Sequence, residues 1–177
     1  MPGQWVYTLG YPNREVEASL NAALLGGFGA PERTSFETRL KLIDLLKNQN
    51  LPALKDLFHA FYATIPNDWY RKNELAGFEG YYASIFYSYF AALGLDIRLE
   101  DSTNKGRIDM AVLFQGQVYV FEFKVVELTP EVRALQQIKD KGYADKYRAR
   151  GEPIHLIGVE FSKVSRNIVG FEVETLL

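Results

Sequence analysis

The residues of this chain whose types and spacing can do chemistry together lie between Arg107 and Lys124, in the run RIDMAVLFQGQVYVFEFK. Asp109 stands near its start; Glu122 and Lys124 stand at its end. Two carboxylates brought side by side in apolar surroundings repel unless something positive joins them. A hard divalent cation, Mg²⁺ or Mn²⁺, takes oxygen ligands and suits that place. An ammonium beside the acids can orient or activate an attacking water. The same residues also admit a plainer reading as surface ion pairs, Glu122 with Lys124 and Asp109 with Arg107, which contribute little on an exposed strand.

The elements around these residues decide whether they meet. Ile108, Met110, Val112 and Phe114 alternate with Asp109, Ala111 and Leu113, which predicts a strand. Val118, Val120, Phe121 and Phe123 supply a second apolar run rich in β-branched and aromatic residues. Gln115-Gly116-Gln117 between them is turn chemistry. An antiparallel hairpin places Asp109 and Glu122 near one end, and period-two alternation places Glu122 and Lys124 on one face.

Before the hairpin, Asn73–Leu93 predicts a long aromatic-rich helix ended by Gly94, with Glu79 early in it, and Asp96–Asp101 predicts the first core strand. Ser102-Thr103-Asn104-Lys105-Gly106 reads as a polar loop in which Gly106 permits an unusual backbone conformation. After the hairpin, Thr129–Arg150 predicts one helix, with Thr129 capping and Pro130 at its first position. Its second half carries Lys139, Lys141, Lys146, Arg148 and Arg150 interleaved with Tyr143 and Tyr147. That mixture suits a nucleic-acid backbone, and equally a solvated helix face. Pro153–Phe161 predicts a buried strand and Ile168–Glu174 the last one. Residues 1–70 read as a helical lead-in: Val16–Leu25, a Gly-rich break at 26–31, Thr34–Asn48 and Leu51–Ile65. His59 and His155 read as packing residues.

The order Asp109…Glu122-Phe123-Lys124 resembles the PD-(D/E)XK nuclease superfamily. Further runs extend the likeness: Gly106-Arg107-Ile108-Asp109, Gln137-Ile138-Lys139, Lys141-Gly142-Tyr143-Ala144, Lys146-Tyr147 and Gly158-Val159. With these, Asn73–Val173 resembles the nuclease-like domain that follows an AAA-ATPase-like domain in many bacterial proteins. The resemblance implies a restriction-endonuclease-like α/β fold: an αβββαβ core with a mixed central sheet flanked by helices, here preceded by a helical extension. It implies Asp109, Glu122, the Phe123 carbonyl and Glu79 as metal ligands, with Lys124 on the attacking water. Lys105 and Arg107 flank Asp109 and stand where they could meet phosphate or equally be ordinary loop charges; with Gln137, Lys139, Lys141, Tyr143, Lys146 and Arg148 they are the expected nucleic-acid contacts. Some exonuclease-like branches place a Gln and a Tyr on the helix that here holds Gln137. The spacing to Tyr143 departs from theirs, and Lys141 stands where their Tyr would, so the roles of both residues stay open. Similar sequence to Leu9, Tyr11-Pro12-Asn13 and Glu15-Val16 joins the two domains in that family. Residues 1–70 are therefore expected to link to an upstream ATPase-like partner, and 71–177 to form the nuclease-like domain.

The 177 residues suffice for one well-cored domain, or one with a small helical appendage. An apolar fraction of 47% with 14% aromatics belongs to a globular chain. The net charge of −2 advertises no polyanion partner for the whole surface, so any nucleic-acid contact must be local. Absence of cysteine excludes disulfides, thiolate metal sites and cysteine nucleophiles, and fits a reducing cytoplasm. No run reaches signal-peptide or membrane-spanning length. Two functions therefore stand: a Mg²⁺- or Mn²⁺-dependent phosphodiesterase acting on nucleic acid, DNA before RNA, and a non-catalytic module binding nucleic acid or protein within a larger ATPase-containing protein.

Overall fold

The computed structural model describes residues 11–13, 15–16, 19–21, 23, 32–65 and 74–177. Five strands form one sheet: β1 (Asp96–Thr103), β2 (Gly106–Phe114), β3 (Gln117–Val126), β4 (Ile154–Ser162) and β5 (Asn167–Leu176), in that spatial order. β3 and β4 run parallel, and the other neighbours are antiparallel. The helices are α1 (Glu32–Lys47), α2 (Leu51–Tyr62), α3 (Glu79–Ala92), α4 (Arg133–Asp140) and the short α5 (Asp145–Arg148), with a 3₁₀ turn at Leu75–Gly77.

The β2–β3 hairpin closes through Gln115 (φ 49°) and Gly116 (φ 73°). Two positive φ angles make a turn whose twist matches that of the flanking strands, which fixes the register Met110↔Phe121. The parallel step from β3 to β4 needs a crossover, which α4 and α5 supply. β4 is buried along its whole length, as a strand covered on both faces must be.

Each face of the sheet carries its own core. On one side Leu42 and Leu46 of α1, Leu54 and Phe58 of α2, and Tyr82 and Phe86 of α3 pack with Met110, Val112, Phe121, Phe123 and Phe161. Phe58 stacks on Phe86 with centroids 3.8 Å apart, and Tyr82 on Phe161 at 4.3 Å. On the other side Ile138, Tyr143 and Tyr147 cover Ile108, Ala111, Val118, Val120, Ile154 and Leu156. The result is the expected mixed sheet between helical layers, with α1 and α2 built into the same core as the sheet.

Several boundaries differ from the sequence reading. The helix expected from Asn73 begins at Glu79, because Phe78 is extended (φ −104°, ψ 116°). The expected helix 129–150 is two helices. Thr129 does not cap it; α4 begins after Val132, and Gly142 at φ 58° ends its last turn. β1 runs on to Thr103, leaving Asn104 and Lys105 as the turn. His59 is exposed rather than packed. His155 is buried, with Nδ1 2.9 Å from Thr175 Oγ1 and Nε2 2.7 Å from Gln117 Oε1. Residues 3–10, much of 16–25, the Gly-rich break at 26–31, and Pro66-Asn67-Asp68 lie outside the described residues.

Candidate active site

β3 presents Glu122 and Lys124 on one face. Glu122 is 1% exposed. Lys124 Nζ donates to Glu122 Oε1 at 3.1 Å and to the Phe123 carbonyl at 3.0 Å. Glu79, the first residue of α3, brings Oε2 to 3.5 Å from the same ammonium, and its Oε1 accepts the Val125 N–H at 3.4 Å. Three of the four oxygen donors expected around a cation are thus gathered about a positive charge that the chain itself supplies. Asp109 comes in from β2, where its Oδ2 accepts the Phe123 N–H at 2.9 Å. The β1–β2 ladder is interrupted beside it: Leu99 pairs with Met110 and Asp101 with Ile108, while Glu100 between them has φ 49°. A cleft of about 330 Å³ opens here, lined by Glu79, Tyr87, Leu99, Glu100, Asp109 and Phe123 among others.

Burial dominates the electrostatics. It pushes the Glu122 carboxyl up to about 7, with the Asp109 charge adding to it and Lys124 opposing. Burial also raises Asp109, against the pull of the Phe123 N–H and Lys124. For Lys124 burial acts downward, but Glu122 and Glu79 outweigh it and hold the ammonium above its ordinary range. A group so placed is a hydrogen-bond donor and a fixed positive charge at neutral pH.

The two residues whose roles were open both reach this place. Gln137 Nε2 on α4 donates to Glu122 Oε1. Tyr143 is hydrogen-bonded to Gln137, and burial followed by the Glu122 charge raises its phenol. Gly106 makes room for it, since a Cβ there would stand 2.9 Å from Tyr143 Oη.

Glu122 Oε1 therefore serves Lys124 and Gln137, while Glu122 Oε2 is buried without a hydrogen-bond partner. Among the described residues no three acid, histidine or cysteine groups are arranged to hold a metal ion. The donor chemistry nevertheless fits a hard cation. An orphaned buried carboxylate oxygen, a second, half-buried acid that raises its pKa, and a main-chain carbonyl are oxygen ligands only, and they meet at one end of two strands.

The basic residues are less free than the sequence suggests. Lys139 pairs with Glu174 at 2.7 Å, Lys146 with Asp101, Arg148 with Asp145 at 3.0 Å and Arg150 with Glu152 at 2.5 Å. Lys105 stands 3.8 Å from Asp145 and Arg107 3.1 Å from Glu100. Lys141 is exposed and has no ion pair among the described residues. Two acids near the site escaped the sequence reading. Glu100 gave no signal. Glu160 gave one, the single carboxylate in a buried strand, IHLIGVEFS.

A mixed sheet between helical layers, with Asp109 on one strand and Glu122-Phe123-Lys124 on the next, defines a restriction-endonuclease-like α/β domain. The sequence profile of the PD-(D/E)XK nuclease superfamily matches residues 77–171, more than half of the chain, and the chain belongs to that superfamily. It is also similar to a curated protein of Azotobacter chroococcum mcd 1 described as "Uncharacterized protein in vnfD 5'region". The two are 66% identical over 171 residues, which make up 96% of this chain and 33% of that protein. The chain thus spans a third of the length of the curated relative it matches.

Proposed function

We propose that this domain hydrolyses phosphodiester bonds in nucleic acid, DNA in the first instance, with Mg²⁺ or Mn²⁺ as cofactor. The observation that carries the proposal is the division of labour on Glu122: one oxygen held by two donors, the other buried and unpartnered beside Asp109. Asp109 and Glu122 would hold the cation, with Glu79 and the Phe123 carbonyl as further ligands. The bound cation would neutralise charge on the phosphate and acidify the attacking water. Lys124 enters protonated, so it orients that water and stabilises the charge that builds on the phosphate rather than removing a proton. Gln137 keeps the Glu122 carboxylate from turning. Lys105, Arg107, Lys139, Lys141, Tyr143, Lys146 and Arg148 are proposed to meet the substrate backbone, Lys141 first among them.

A second reading has support of its own. Lys124 already neutralises the acids, and four of the five basic residues between 139 and 150 are paired with acids. A module that binds nucleic acid or protein without cutting would look the same. Most of the curated relative lies outside the match, which leaves room for the upstream ATPase-like domain we propose for the whole protein; of the expected link 1–70, α1 and α2 belong to the core of this domain, so the link we propose is the part that precedes α1. A cytoplasmic setting is proposed alongside, in keeping with a chain free of cysteine; among the described residues no helix is long and apolar enough to cross a membrane.

Calorimetric titration with Mg²⁺ and Mn²⁺ separates the readings. The enzyme reading requires binding that Asp109→Asn abolishes; no binding to the wild type leaves the non-catalytic module.

A further inference from the structure

We propose that Glu160 is a positioning residue for this site, acting through α4 and Gln137 on Glu122; the inference rests on the site proposed above. Glu160 lies on β4 and is fully buried. Its carboxylate accepts four backbone N–H groups from the start of α4: Glu131 at 2.5 Å and Val132 at 3.0 Å on Oε2, Arg133 at 2.6 Å and Ala134 at 3.3 Å on Oε1. Those of Val132, Arg133 and Ala134 are donors that the start of a helix leaves without partners, and a negative charge there is favoured by the helix dipole. A side chain from another strand thus does the capping that Thr129 was expected to do.

The neighbouring backbone is shaped for this contact. Val132 sits at φ 59°, a conformation that a β-branched residue avoids unless its surroundings hold it there. The β4–β5 register slips between Glu160 and Phe161, a bulge that re-aims the side chain. Opposite Glu160, a Cβ on Gly170 would stand 3.1 Å from both Glu160 Cβ and its Oε2. A Cβ on Gly158 would come within 2.3 Å of Leu135 N, so α4 lies directly on the β4 backbone.

Gln137 follows one turn later on the helix so anchored, and it donates to Glu122 Oε1. Glu160 thereby fixes the height of α4 above the sheet, and with it which Glu122 oxygen is held and which is left open.

The test combines nitrogen-15 NMR of the chain with DNA cleavage in Mn²⁺ at matched folded concentration. Glu160→Gln offers one acceptor oxygen instead of two. The Val132 and Arg133 amides should lose exchange protection, and the Gln137 side-chain amide should move toward its solvent-exposed position. The cleavage rate should fall about 10- to 100-fold, as for other residues that orient a ligand. Gln137→Ala should lose a similar factor, and the double variant should be no worse than either single one. A Gln137 amide unmoved by Glu160→Gln, or losses that multiply in the double variant, would overturn the proposal. Should Glu160→Gln not fold, Glu160→Asp, which keeps both oxygens but draws them back by one methylene, carries the same measurements. Wild type that cleaves nothing would defeat the nuclease reading, while the Gln137 amide would still decide the positioning role.

Discussion

Asp109 Oδ2 accepts the backbone N–H of Phe123 at 2.9 Å, so the acid of one strand is tied to the middle residue of the Glu122-Phe123-Lys124 triplet on the next. The bond makes Asp109 a structural residue as well as a candidate ligand, and two substitutions divide those roles. Asp109→Asn keeps an oxygen for that N–H and should unfold near the wild-type temperature. Asp109→Ala leaves a buried donor unpaired and should lose about 1–3 kcal/mol. Thermal unfolding of both, metal-free, checks this; equal stability would mean that the N–H has found another partner.

The pH dependence follows from Glu122. In the folded protein its carboxyl is pushed up to about 7, against 4.5 in the unfolded chain. The unfolded chain gives up this proton first as pH rises. The contribution of Glu122 to stability is therefore full below pH 4.5 and is lost as pH climbs through about 7. The loss is of order 3 kcal/mol. Denaturant unfolding of the metal-free protein should show this decline, and Glu122→Gln should flatten it. Because a cation competes with the same proton, metal affinity should rise across the same window. Affinity that is flat with pH would remove Glu122 from the ligand set.

Gly158→Ala should be strongly destabilising. Its Cβ would meet the Leu135 backbone rather than a movable side chain, and overpacking of this kind costs roughly 1–3 kcal/mol. Circular dichroism melting is sufficient to check it, and an unchanged Tm would show that α4 can rise off the sheet.

If the basic stretch tracks a phosphate backbone, Lys141 should matter most, since its charge is not already spent on an acid. Lys141→Ala should lower the salt slope of duplex DNA binding by about 0.9 in log K per log salt. Lys139→Ala and Arg148→Ala, whose partners are Glu174 and Asp145, should change it less. An unaltered slope with Lys141→Ala assigns the stretch to solubility.

Much of this arrangement was legible in the sequence, for reasons of period. Alternation through Ile108, Met110 and Val112, and the Gln115-Gly116 turn, were enough to place the hairpin and hence the meeting of Asp109 with Glu122. Helical spacing placed α2, and the helix expected at Thr34–Asn48 matches α1 apart from its start. What the sequence could not show was anything set by contacts distant along the chain. The cap of α4 belongs to Glu160 on β4, so Thr129-Pro130 looked like a helix start and was not one. Lys139, Lys146 and Arg150 looked free because their acids, Glu174, Asp101 and Glu152, lie on other elements or in the next turn. Gln137 and Tyr143 have the wrong spacing for one regular helix, but the break at Gly142 swings Tyr143 back onto Gln137.

The most direct test of a metal-dependent nuclease is cleavage of plasmid DNA in Mn²⁺ by wild type, Asp109→Asn and Lys124→Ala at matched folded concentration, on the chain alone and on the full-length protein. The account predicts cutting by wild type and none by Asp109→Asn. For Lys124→Ala it predicts metal binding retained and a rate lowered by about 10²-fold or more, as for loss of a positioned catalytic group. Cutting by all three at equal rates, or by none of them in either form, would contradict it.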